Sequence, residues 1–149
     1  MRVWKRNSWC LGIACLVILS GGAAQAMIIS EVMYNPDGAD SKREWIELYN
    51  NGSGSYNVSL LRFSENGVNH RIKGLDAILG GEIVIVADNI EAFLKDYPDY
   101  KGILGDSSFS LSNKGEDLAI IYNGTIIFNM SYEGGGSCIE HINGSWYES

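Results

Sequence analysis

The chain has 149 residues, 46% of them hydrophobic, with 18 acidic and 11 basic side chains. Three of the basic residues and none of the acidic ones precede residue 27, so the remainder sets 8 bases against 18 acids, a formal charge of −10. A surface of that sign repels phosphate backbones and speaks against nucleic acid as a partner. Cys138 is the one cysteine after residue 26, which excludes an internal disulfide there and leaves a single hydrophobic core to hold the fold.

The first 26 residues read as a secretory signal. Arg2, Lys5 and Arg6 form a positive start, residues 11–19 are apolar, Gly21 and Gly22 break the run, and Ala24-Gln25-Ala26 fits the small-x-small cleavage rule. The apolar run is shorter than the roughly 20 residues a bilayer-spanning helix needs, which favours cleavage over an uncleaved anchor. Cys15 follows Gly12-Ile13-Ala14, a poor match to a lipidation signal. Cleavage leaves a secreted or cell-surface domain at residues 27–149.

That domain reads mostly as strands. Residues 27–34 form the first, ended by the turn formers Asn35, Pro36, Asp37 and Gly38. Residues 44–49 alternate with a period of two, placing Ile46 and Leu48 on one face and Trp45, Glu47 and Tyr49 on the other. Beyond the loop at 50–55, residues 56–63 form a third strand and 68–72 a short fourth. Residues 82–87, introduced by Gly80-Gly81, are β-branched and nearly all apolar, as in a central strand buried on both faces.

One short helix follows. Asp88 or Asn89 caps it, Ile90, Phe93, Leu94 and Tyr97 make an apolar stripe, and Pro98 ends it. It is expected to lie across an open end of a β-sandwich. Residues 118–122 and 125–130 flank Asn123-Gly124, the preferred pair for a type I′ hairpin turn. A strict two-residue loop puts Ile121, Ile126, Phe128 and Met130 on one face and Leu118, Ile120 and Ile127 on the other. Either both faces are covered or a bulge shifts the pairing. Gly134, Gly135 and Gly136 make a link to a last strand at 137–142, and Trp146 and Tyr147 are placed to pin the C-terminus. About eight short strands separated by turns give one all-β domain, a sandwich or barrel.

Six segments together resemble the lamin-tail domain family of prokaryotic exported proteins. Residues 28–36 are similar to its opening I-x-E-V-x-Y-N-P, through Glu31, and residues 44–50 to its E-W-I-E-L-x-N segment, through Glu44, Trp45, Ile46, Glu47, Leu48 and Asn50. Residues 60–64 fall where the family has a strand. Leu79-Gly80-Gly81-Glu82 resembles the L-x-P-G turn before the long central strand, with Gly80 where proline is common. Residues 109–116 resemble its L-S-N-x-G-D turn, through Leu111, Asn113 and Gly115, with Glu116 in place of Asp. Residues 137–141 and Trp146 resemble its S-L-E-R…W ending, with Cys138 where the family prefers Leu. The likeness spans residues 28–147. It implies an immunoglobulin-like β-sandwich, an interaction or anchoring role, and no catalytic residues to carry over. In prokaryotes such domains stand alone or beside nucleases and other hydrolases.

The side chains suited to chemistry are few. Glu31, Glu44 and Glu47 are carboxylates in strands, of the kind that pair in glycoside hydrolysis; the simpler reading bonds each to a backbone or cross-strand donor that fixes register. Asp37 and Asp40 offer two carboxylates to a calcium ion, but lack the alternating spacing of a dedicated loop and have Lys42 and Arg43 beside them. His70 and His141 have no nucleophile elbow or zinc-ligand spacing around them. No cofactor is expected. Five Asn-x-Ser/Thr sequons, at Asn51, Asn57, Asn123, Asn129 and Asn143, exceed the one or two that about 11 asparagines would give by chance, and are candidate N-glycosylation sites.

These features point to a non-catalytic binding or anchoring module at the cell surface, its partner a protein or a cell-surface polymer met through end loops or through Trp45, Tyr49 and Tyr122. Two other readings stand beside it: a cation-dependent spacer in an extracellular assembly, and an accessory domain of a secreted hydrolase or nuclease.

Overall fold

The structure, a computed structural model, describes residues 27–142 and 145–148; the signal expected at 1–26 and the sequon at Asn143 lie outside them. Twelve strands and one α-helix follow in chain order: β1 Met27–Met33, β2 Trp45–Asn50, β3 Tyr56–Asn57, β4 Leu61–Glu65, β5 Val68–Arg71, β6 Ala77–Ile78, β7 Ile83–Ala87, α1 Ile90–Asp96, β8 Ile103–Asp106, β9 Gly115–Tyr122, β10 Thr125–Glu133, β11 Cys138–Ile142 and β12 Ser145–Glu148. They make a six-stranded sheet in the order β12-β11-β1-β2-β7-β8, a four-stranded sheet β10-β9-β4-β5, and the small pair β3-β6.

Period-two alternation sorts the side chains. Ile29 and Val32 of β1, Ile46 and Leu48 of β2, and Val84 and Val86 of β7 point to one face of the six-stranded sheet. There they meet Leu61 and Phe63 of β4, Leu118 and Ile120 of β9, and Phe128 of β10 in one buried cluster. The two larger sheets therefore share a core, and each fully buried aliphatic or aromatic side chain contributes about 1.5–3 kcal/mol relative to exposure.

The opposite face of the six-stranded sheet is also apolar. Met33, Trp45, Ile85, Ala87 and Cys138 form a second buried cluster with Phe93 of α1. Trp45 meets Phe93 and Tyr97 edge-on, with ring centroids 6.0 Å apart in both cases. This corrects the expected position of α1. The helix covers the outer face of the sheet rather than an open end, because β7 buries both of its faces and the outer one needs a lid. Asn89, not Asp88, is the cap, its side chain accepting from Ala92 N at 2.8 Å. The helix also solves a chain-direction problem: β7 and β8 are parallel, and parallel neighbours need a crossover longer than a tight turn.

Two further expectations change. The strand read at 56–63 is broken by a 3₁₀ turn, Val58–Leu60, where the Asn57 side chain accepts from Ser59 N and bends the chain. The hairpin has its two-residue turn, with positive φ at Asn123 and Gly124, and the register shifts between Ile126 and Phe128. That bulge is the second of the two alternatives. It sets Phe128 opposite Ile120 and Met130 opposite Leu118, while Ile126 is left 61% exposed. Cys138 is fully buried.

Phe93 is the anchor of the outer lid, whereas Leu94 on the same helix is exposed. Phe93→Ala is expected to cost about 3–5 kcal/mol in urea unfolding, and Leu94→Ala about 0.5 kcal/mol or less. Equal effects would mean that the helix does not bury its predicted face.

Candidate functional site

Residues 107–114 connect β8 to β9 without forming a strand or helix. Their backbone groups must still find partners where they are buried. Four successive amides do so on four carboxylates, three of them drawn from distant parts of the chain. Phe109 N donates to Asp88 Oδ1 at 3.3 Å. Ser110 N donates to Glu65, at 3.1 and 3.3 Å from its two oxygens. Leu111 N donates to Glu44 Oε2 at 2.9 Å, and Ser112 N to Glu116 Oε1 at 2.8 Å. Phe109 and Leu111 turn inward and join the shared core.

The carriers of these carboxylates explain what the strap does. Glu44 leads into β2 and Asp88 follows β7, both in the six-stranded sheet; Glu65 ends β4 and Glu116 lies at the start of β9, both in the four-stranded sheet. One segment of backbone thus bonds to both sheets at one end of the domain. Ser107 N extends the attachment to Ala87 O at 3.0 Å, and Asn113 Nδ2 donates to Asp40 Oδ2 at 2.7 Å. The Tyr132 hydroxyl reaches Ser112 O at 2.8 Å and Glu116 Oε1 at 3.0 Å, and Asn66 Nδ2 donates to Glu116 Oε2 at 3.0 Å.

Burial dominates the electrostatics. It pushes the Glu44 carboxyl up to about 7, against the pull of the Leu111 hydrogen bond, and the neighbouring Asp88, Asp40 and Glu65 push the same way. Burial also raises Glu65, although the nearby His70 and the Ser110 amide oppose it. It raises Asp88 as well, opposed by the Phe109 amide. His70 Nε2 lies 3.1 Å from Glu65 Oε1. Tyr132 is pushed strongly upward by burial and by Glu116 beside it.

The motif residues separate into two groups. Glu44, Leu111, Asn113 and Gly115 come together at the strap. Gly115 has φ +93°, and an added Cβ would strike the Tyr132 carbonyl oxygen. Glu31, Glu47 and Asn50 lie elsewhere. Glu31 is buried in β1, opposite Glu47 on one side and Glu140 on the other, and Glu47 accepts from Ser30 Oγ at 2.7 Å. Asn50 Nδ2 donates to Gly54 O at 2.8 Å and Ile78 O at 3.2 Å, and its Oδ1 accepts from Gly52 N at 3.1 Å, so it fixes the 51–55 loop against β6. Trp45, Ile46 and Leu48 are fully buried, which removes Trp45 as an exposed aromatic contact. Tyr122 is packed on Tyr56 at 4.9 Å. Asp88 and Glu65 are the strap partners that sequence reasoning missed. Asp88 was legible only as a cap, and Glu65 acts on a residue 45 positions away.

The loop that carries Asp37 and Asp40 is held by Arg43 through its backbone carbonyl groups, while the Asp40 carboxylate accepts from Asn113. Arg43 Nη1 donates to Asp37 O at 2.7 Å and Ala39 O at 2.9 Å, and Arg43 Nε pairs with Asp96 at 2.7 Å. Among the described residues, no group of three or more His, Cys, Asp or Glu is placed to hold a metal ion. Of the sequons, Asn57, Asn123 and Asn129 are exposed, and Asn51 is half-buried.

Two outcomes follow from the strap. A raised carboxyl pKa means that the folded chain holds its proton more tightly than the unfolded chain. The stability from Glu44 is therefore fully present below about pH 4.5 and is lost as the pH rises to about 7. Such a shift corresponds to on the order of 3 kcal/mol, and Glu65 and Asp88 act in the same direction. The urea midpoint should fall from about pH 5 to about pH 8, and Glu44→Gln, which keeps an acceptor for Leu111 N but does not titrate, should flatten that fall. A midpoint that rises with pH, or a slope unchanged by Glu44→Gln, would contradict the assignment. At Gly115 the positive φ and the blocked Cβ position combine, so Gly115→Ala should cost about 3 kcal/mol or more. At Gly124 nothing lies within 4 Å of an added Cβ, and Gly124→Ala should cost only about 1–2 kcal/mol by thermal unfolding.

No protein-family model matches the chain, and neither a curated relative nor a solved structure matches it.

Proposed function

We propose that the chain is an exported, non-catalytic binding or anchoring module with an immunoglobulin-like β-sandwich of the lamin-tail type. The observation that carries this reading is the use made of its carboxylates. Glu44, Glu65, Asp88 and Glu116, gathered at one end, each accept from a backbone amide. They act as structural acceptors, and their hydrogen bonds hold the strap rather than aim at a space for a substrate. The resemblance in residues 28–147 supplies the fold type and the exported context, and the shared core of the two sheets is compatible with a sandwich.

The surface for a partner is then at the other end. β2 and β9 run away from the strap, and β4 and β7 run toward it, so the far end gathers the 51–55 loop, the 3₁₀ turn, the turn at 79–82 and the 123–124 hairpin turn. Asn123 N donates to Leu60 O at 3.0 Å, and Gly81 N to Asn50 O at 2.7 Å, which holds these loops together. Three large apolar side chains stand out there: Leu60, Leu79 and Ile126. Exposed apolar groups among rigid loops suit a protein or a polymer with an apolar face.

The test is binding by the secreted protein to the envelope fraction of its own host, measured by co-sedimentation. Leu60→Ser, Leu79→Ser and Ile126→Ser combined should weaken binding about ten-fold or more (~1.4 kcal/mol), with each single change moving stability by about 0.5 kcal/mol or less. N-terminal sequencing should place the mature start at Met27. Turnover of an ester, glycoside or phosphodiester substrate that is lost on Glu47→Gln would overturn the non-catalytic reading, and a protein recovered with Met1 intact would overturn signal cleavage.

A further inference from the structure

We propose that Asn57 is an acceptor for N-linked glycosylation on the folded chain, its side-chain nitrogen taking a sugar from a lipid-diphosphate-linked glycan. The biological setting rests on the exported reading above; the acceptor geometry does not.

The sequon Asn57-Val58-Ser59 is held in one conformation by its own side chains. Asn57 Oδ1 accepts from Ser59 N at 2.9 Å and from Ser59 Oγ at 2.7 Å. Asn57 and Ser59 are both exposed, and Val58 between them is buried and anchors the turn. The carboxamide oxygen is thus committed to the turn, while Nδ2 makes no hydrogen bond among the described residues. An amide nitrogen is a weak nucleophile because its lone pair is delocalised into the carbonyl. Two hydrogen bonds on the oxygen favour charge there and make the N–H more acidic, which eases loss of the proton as the new bond forms. In the transfer, Nδ2 attacks the anomeric carbon and the N–C bond forms. The bond from that carbon to the diphosphate oxygen breaks, the diphosphate-lipid leaves with the electron pair, and the amide proton passes to a base on the transferase.

The other sequons lack this arrangement. Asn129 lies within β10, and the hydroxyl two residues on, Ser131 Oγ, is bonded to Asp117. Asn51 Oδ1 is buried without a partner. Asn123 occupies the left-handed position of its turn, with φ 49°, and no hydrogen bond joins it to Thr125. A hydroxyl that reaches the asparagine amide is found at Asn57 alone among the described sequons.

The folded full chain should be incubated with a single-subunit oligosaccharyltransferase and a polyprenyl-diphosphate-linked glycan, and each sequon's occupancy read by peptide mapping. Asn57 should be occupied about ten-fold above Asn129 and Asn51 in the folded chain. That preference should persist in Ser59→Thr, which keeps the hydroxyl, and disappear in the isolated tryptic peptides, which carry the same sequons without the fold. Occupancy of Asn57 no higher than that of Asn129 in the folded chain, or a preference equally strong in the isolated peptides, would overturn the proposal. Export is judged separately, by whether the chain is found in the medium or on the cell surface. A competent Asn57 in a chain that stays inside the cell would sink the exported reading and leave the acceptor standing; an exported chain with an unreactive Asn57 would do the reverse.

Discussion

The domain depends on a run of backbone amides that no strand satisfies. Between β8 and β9 the chain crosses from one sheet to the other, and four of its N–H groups in succession are taken up by Asp88, Glu65, Glu44 and Glu116. A carboxylate bonded to an amide is a stronger acceptor than a neutral carbonyl, but three of these four groups have raised pKa values. Burial and mutual repulsion work against the charged form more than the amide bonds work for it. The strap is therefore a compromise: acceptors are needed to bury the backbone, and concentrating acids to supply them lowers their acidity. Without these acceptors, burying Phe109 and Leu111 would leave amides unsatisfied, at about 1–3 kcal/mol each.

Local chemistry made some of this legible before the structure. Ile46 and Leu48 on one face and Trp45 on the other follow from period-two alternation, and the two sides do enter different clusters. Asn123-Gly124 specified its turn because both positions require positive φ. The competing hydrophobic sets in β9 and β10 were enough to pose the choice between two covered faces and a bulge. Asn57 was harder. Its neighbours read as a strand, and only the side chain's preference for its own backbone turns the chain there.

Other elements had no local signal. β8 is four residues long, contains Gly105, and is defined by a parallel partner that precedes it by a helix. β6 has two residues, and Asn50, far earlier in the chain, bonds to Ile78 within it. The position of α1 differs from the expected one because its apolar stripe shows that it must be covered, not what covers it; the covering face is that of Ile85 and Ala87, the second face of β7. Glu44 was legible as a motif residue, whereas its partnership with Leu111 crosses 67 positions. Pattern reading resolves what a residue needs, and long-range pairing decides which residue meets the need.

The division of the domain into two ends constrains the functional readings. The strap end uses its acids internally and is stiffened by both sheets. The far end carries Leu60, Leu79 and Ile126 on loops tied by backbone hydrogen bonds, and Asn57 immediately precedes the turn that contains Leu60. A glycan on Asn57 would therefore stand at the same end as these exposed apolar groups. If Asn57 is occupied, a broad flat protein partner is obstructed, and contact is left to a narrow ligand or to a partner that approaches from the Leu79 and Ile126 side. If it is vacant, all three apolar groups are open together. Site occupancy at Asn57 and the effect of Leu60→Ser on binding are thus linked quantities: glycosylation should diminish the contribution of Leu60 before that of Leu79 or Ile126, since Leu60 is in the turn that Asn57 caps.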